Sequence, residues 1–113
     1  MSENILNPLD ESKYIDDYLS FFIKKEFTKP ITNNLFFVNI DYLRKNSQVV
    51  DFKLKYNFSP QTVAIDYYDN KFFYPIIMLV NNCPSIFKFH STYYQKILVP
   101  SLESIINIYN SSQ

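Results

Sequence analysis

Ser59-Pro60-Gln61-Thr62-Val63-Ala64-Ile65-Asp66-Tyr67-Tyr68-Asp69-Asn70 decides how the chain reads. A hydroxyl followed by proline is a helix start: the serine caps, and the missing proline N–H costs nothing in the first turn. Val63, Ala64, Tyr67 and Tyr68 then recur at helical spacing, and Asp69-Asn70 is a turn. Lys71-Phe72-Phe73-Tyr74-Pro75-Ile76-Ile77-Met78-Leu79-Val80 follows as a second helix with Pro75 in its first turn, apolar nearly all round and therefore deeply buried. Asn81-Asn82-Cys83-Pro84 ends it.

Working outward, Val50, Phe52, Leu54, Tyr56 and Phe58 alternate with Asp51, Lys53, Lys55 and Asn57, which predicts a half-buried strand over 49–58. On the other side, 85–94 reads as an aromatic loop and Lys96 to Val99 as the partner strand. Pro100-Ser101 opens a terminal helix carrying Leu102, Ile105, Ile106 and Tyr109. The order is strand, helix, helix, strand, helix.

Upstream, Tyr14, Ile15, Tyr18, Leu19, Phe22 and Ile23 recur at three- and four-residue spacing, with Lys13, Asp16, Asp17, Ser20 and Lys24 opposite. Asp10, Glu11 and Ser12 supply caps and negative charge at its start, and Pro30 stops it. This helix either closes the core or docks on a neighbouring subunit. Met1 to Leu9 reads as an extended arm that orders on assembly, Ile31 to Asn34 as a turn, and Leu35 to Ile40 as a strand. Asp41 to Asn46 fits a helical turn or a loop equally. The expected division is an adaptor region over 1–47 and a module over 48–113, in one α+β chain.

Composition narrows the function classes. The 113 residues include eleven Phe and ten Tyr but no glycine, where average usage would give about eight. Tight turns therefore fall to Asn, Asp, Ser and Pro. Eleven basic and eleven acidic residues cancel, without the basic excess expected of a nucleic-acid partner. The apolar run from Phe72 to Val80 falls short of the about twenty residues a bilayer requires, so no membrane role is expected. The polar, acidic start does not read as a secretion signal.

Catalytic, cofactor and metal chemistry find no constellation. His90 is the one histidine and Cys83 the one cysteine, a buried structural thiol by its setting beside Pro84. Asp16-Asp17 and Asp66 with Asp69 read as a solvated face and a turn. Without glycine there is no phosphate-cradling loop. The aromatic residues Tyr67, Tyr68, Phe72, Phe73, Tyr74, Phe87, Phe89, Tyr93 and Tyr94 are too many for the core of so small a module; the exposed remainder is the candidate interface.

The span from Val49 to Ser101 resembles a LysM-type module, in the version found in bacteriophage baseplate wedge proteins. The hydrophobic-Ala pair is Val63-Ala64, the Tyr turn is Tyr68-Asp69, the helix-ending Asn is Asn81, and the closing strand is Ile97-Leu98-Val99-Pro100. The aromatic cluster Phe72-Phe73-Tyr74 and the alternation Asp51-Phe52-Lys53-Leu54-Lys55-Tyr56 carry the wedge-protein flavour. The family's glycines, in the Tyr turn and before the last strand, are replaced by Asp69 and by Gln95 or Lys96. The resemblance implies a non-enzymatic virion component, assembled in several copies with other tail or baseplate proteins. A peptidoglycan- or chitin-binding LysM module, with a groove between the Ser59 turn and the Asn81 to Ser85 loop, is one alternative. A small inhibitor or regulatory protein is the other.

Overall fold

The computed structural model describes residues 8–113, with side chains from residue 17 onward. Helices α1 (Pro8–Glu26), α2 (Leu35–Val38) and α3 (Ile40–Lys45) lead into strand β1 (Ser47–Asp51). Helices α4 (Pro60–Tyr68) and α5 (Tyr74–Val80), strand β2 (Lys96–Pro100) and helix α6 (Leu102–Ser111) complete an α+β fold. Single 3-10 turns cover Leu54–Tyr56, Lys71–Phe73 and Ile86–Lys88. The two strands form one antiparallel ladder, with Ser47 opposite Pro100 and Asp51 opposite Lys96. The strand–helix–helix–strand order expected of 49–101 is therefore present.

The caps explain why these elements start and stop where they do. Ser59 accepts from the Thr62 N–H, Pro60 follows it, and Asp69 at φ 56° ends α4 in the left-handed region. Pro75 lies in the first turn of α5, and Ser101 caps α6. Asn82 at φ 53° turns the chain after α5. Asp and Asn take that conformation through local side-chain hydrogen bonding. Phe58, at φ 58°, has no such help and costs about 1–2 kcal/mol. Two bonds hold it there: Phe58 N–H to Phe89 O at 2.6 Å, and Ser91 N–H to Asn57 Oδ1 at 2.9 Å.

A single buried cluster joins the N-terminal helices to the strand–helix–helix–strand unit. Leu19 and Ile23 of α1, Phe36 of α2 and Leu43 of α3 meet Tyr56, Val63, Phe73, Ile76, Ile77, Phe89, Ile97 and Ile105. Phe22 contributes edge-on contacts to Phe36 and Tyr109, with ring centroids 5.6 and 5.2 Å away. So α1 does close the core, through Leu19, Phe22 and Ile23, while Tyr18 on the same expected stripe is 58% exposed. In α6 the buried face is Ser104, Ile105 and Ile108, with Leu102 turned outward.

Two expected strands differ. Leu35–Val38 is helical although its residues favour strands. Asn34 Oδ1 accepts from the N–H groups of Phe36 and Phe37, and Glu26 Oε1 from that of Leu35, so the free donors of a helix start are met at once. Glu26 is itself almost wholly buried and also holds Lys29 at 2.6 Å, which ties the end of α1 to the start of α2. The alternating stretch 49–58 stops being a strand after Asp51, because β2 offers only five residues to pair with. Beyond the last bond, Phe52 N–H to Gln95 O, the chain coils into the 3-10 turn. That turn buries Tyr56 and leaves Leu54 76% exposed and Phe58 52% exposed, so the expected common face breaks up. The ambiguous 41–46 is mostly helix, α3. Of the expected arm, Pro8 and Leu9 begin α1. Residues 1–7, and the side chains of Asp10, Glu11, Ser12, Lys13, Tyr14, Ile15 and Asp16, lie outside the described residues.

Asn81 binds α5 to the sheet. Its amide nitrogen donates to Ile77 O at 2.8 Å and Leu98 O at 2.9 Å, while its Oδ1 accepts from Leu98 N–H at 2.8 Å. Tyr68 adds a 2.6 Å bond from its hydroxyl to Pro100 O. Asn81→Ala strips both backbone groups of half-buried Leu98, and should cost about 2–4 kcal/mol in chemical denaturation.

Alkaline pH is a second test. Burial is the main cause raising the phenol pKa values of Tyr56, Tyr68 and Tyr94, the last to about 12, with Asp66 beside Tyr56 and Cys83 beside Tyr94 adding to it. Above the ordinary phenol value of about 10 the unfolded chain releases protons that the folded chain keeps. Stability is therefore full below that pH and falls as pH rises beyond it, which denaturation midpoints measured at successive alkaline pH values will show.

Candidate interaction surface

An apolar opening lies between the second half of α1 and the chain entering α5. It is a groove of about 430 Å³, walled by Phe21, Ile23, Lys24 and Phe27 on one side and by Phe72, Tyr74 and Pro75 on the other. Asn70 fixes the distance between the walls. Its side-chain nitrogen donates to Ser20 Oγ on α1 at 2.8 Å, and its Oδ1 accepts from Phe72 N–H at 2.9 Å, starting the 3-10 turn that holds Phe72 out. A second hollow of about 320 Å³ shares Phe27, Tyr74 and Pro75 and continues along Met78, Leu79 and Cys83. Together they make one apolar trough down the exposed side of α5.

Phe21 is 69% exposed and Phe72 56%. Lys71 Nζ stands 5.4 Å from the Phe72 ring, and Lys24 is exposed at the rim, so the trough has a basic margin. Apolar side chains this open on both walls suit contact with another apolar surface.

The expected interface residues divide into three groups. Phe72 and Tyr74 line the trough. Phe87 and Tyr93, 81% and 61% exposed, sit apart from it on the 85–94 loop, with Lys88 Nζ 5.1 Å from the Tyr93 ring. The others turn inward. Tyr68, Phe73 and Phe89 are buried, Tyr67 and Tyr94 half-buried against the core. Tyr68 and Phe73 pack together at 5.1 Å, and Phe89 sits 5.0 Å from Phe52. These are core residues because the unit is closed by rings rather than by a larger sheet. Phe21 and Phe27 were missed: Phe21 lies on α1 outside the stripe that identifies its buried face, and Phe27 follows the last residue of α1, in line with Leu19 and Ile23. An aromatic residue off that stripe was the available signal for Phe21.

The titratable and nucleophilic groups singled out in the sequence have structural partners. Asp66 Oδ2 binds Lys55 Nζ at 2.7 Å and the Tyr56 hydroxyl at 2.8 Å, both of which hold its carboxyl below the usual range. Asp69 ends α4. His90 Nδ1 accepts from Thr92 N–H, and its ring lies 4.9 Å from Phe58. Cys83 is buried with Sγ 3.2 Å from Ser85 O. Among the described residues no group of three or more His, Cys, Asp or Glu is placed to hold a metal ion, and no helix is long and apolar enough to cross a membrane. The turn before Ser59 is bonded to the 85–94 loop, Phe58 N–H to Phe89 O and Ser91 N–H to the Asn57 side chain.

The division between exposed and buried aromatics is testable. Phe21→Glu with Phe72→Glu should shift stability by no more than about 0.5 kcal/mol, as for surface changes generally, while weakening binding of a hydrophobic dye. Phe73→Ala should cost about 3–5 kcal/mol. No family model, curated protein or solved structure matches the chain.

Proposed function

We propose that the protein is a non-enzymatic structural subunit that works by protein–protein contact, as a component of a bacteriophage tail or baseplate present in several copies. The observation that carries this reading is the trough along α1 and α5, open on both walls through Phe21 and Phe72. Exposed apolar surface is costly in an isolated chain and is the usual mark of a docking site. The strand–helix–helix–strand order, and the resemblance of Val63-Ala64, Asn81 and Ile97 to Pro100 to LysM-type wedge proteins, supply the kind of assembly. The balanced charge agrees with a protein partner.

Two measurements test the reading. An antibody raised to the purified chain should decorate the tail region of virions made by the source of this sequence; unlabelled virions would overturn it. Co-sedimentation with insoluble peptidoglycan and chitin, with soluble oligosaccharide as competitor, should give no saturable binding. Competable binding would replace assembly with glycan recognition.

A further inference from the structure

The hydrogen-bond phase of the ladder fixes which backbone groups face outward. Phe52 N–H bonds Gln95 O, and Ser101 N–H bonds Asn46 O. In an antiparallel pair such bonded positions alternate, so Gln48 and Val50 point their backbone at β2 while Ser47, Val49 and Asp51 point theirs away. The same phase turns Leu98 and Pro100 outward on the far side of β2. There Asn81 takes both groups of Leu98, and the Tyr68 hydroxyl takes Pro100 O. That edge of the sheet is thus closed by side chains at Leu98 and Pro100. The other is not: no described group bonds the backbone N–H or C=O of Val49 or Asp51, and the Val49 side chain is 62% exposed.

Exposed edges of monomeric sheets are usually blunted by lysine or other charges, proline, a bulge or shortness. β1 is short and ends in Asp51, but Ser47-Gln48-Val49-Val50 carries no charge, proline or bulge, and its ladder register is unbroken.

We infer that β1 pairs with β1 of a second copy, antiparallel and centred on Val49. A two-fold axis there sets Val49 against Val49 and Ser47 against Asp51, and every outward backbone group of the strand finds its complement. The strand's one charged residue never meets its own twin; it faces a serine. Across the outer face, Val49 already lies opposite Leu98, so the pair creates an apolar stripe running from one Leu98 to the other through both valines. The two small sheets become one. A strand this short buries little area, so the association is weak and strengthens when copies are held close together, as in a repeated assembly. This inference is independent of the trough and of the assembly reading.

Sedimentation equilibrium over a wide concentration range should show a reversible monomer–dimer equilibrium. Val49→Pro removes an outward N–H and takes no bond from β2, so it should abolish the dimer while far-ultraviolet circular dichroism stays unchanged. In a Cys83→Ser background, Val49→Cys should form a disulfide-linked dimer on mild oxidation, since bonded antiparallel partners have Cα atoms about 5.5 Å apart. Gln48→Cys, which faces Val50 of the other copy, should not. A chain monomeric at every concentration, a Val49→Pro dimer, or equal cross-linking at both positions would overturn the inference. The cysteine pair decides the matter even where the proline variant fails to fold.

Discussion

The side chain of Asn81 holds the structure's plan in place. At the end of α5 it satisfies a helix carbonyl and, in the same plane, copies the backbone of a missing third strand against Leu98. This sets the distance from α5 to β2 and keeps Ile97 and Val99 facing Ile76 and Ile77 in the core. Arg44 reinforces the junction from α3, with Nε 3.0 Å from Val80 O. A two-stranded sheet is marginal by itself. Here a helix cap replaces the third strand on one side and leaves the other side open. The asymmetry between the edges follows from that amide together with the Tyr68 hydroxyl on Pro100 O.

The absence of glycine shapes the rest. Among the described residues the left-handed positions fall on Asp69, Asn82 and Phe58, and these flank the helices of the strand–helix–helix–strand unit. The turn at Asp69-Asn70 is also where Phe72 is thrown outward and where Asn70 grips Ser20 of α1. One turn therefore ends a helix, positions α1 and opens the trough. Phe58 is the strained member, held by backbone bonds to the 89–91 loop and resting on His90.

Much of this was legible in local chemistry. Ser59-Pro60, Asp69-Asn70, Pro75, Asn81 and Ser101 mark the ends of α4, α5 and α6, because caps act on their immediate neighbours. What failed depended on distant partners. Leu35–Val38 became a helix through Asn34 and a buried Glu26, nine residues away from the Leu35 it binds. The alternation past Asp51 had no opposing strand to pair with, so Leu54 and Phe58 reached solvent while Tyr56 went to the core. The candidate surface was half legible. Phe72 and Tyr74 lie in the trough, but ring count alone could not separate them from Tyr68, Phe73 and Phe89, whose burial depends on α1 and β2 arriving over them.

One sheet edge is closed within the molecule, at Leu98, and the other, at Val49, is left for a neighbour. Residue-resolved amide hydrogen exchange tests it most directly, since Leu98 and Val49 are opposite residues with the same outward orientation. In dilute protein the Leu98 amide should exchange slowly and the Val49 amide fast, with Val49 slowing as concentration rises. A Val49 amide already protected in dilute solution, or a Leu98 amide exchanging as fast as Val49, would contradict the account.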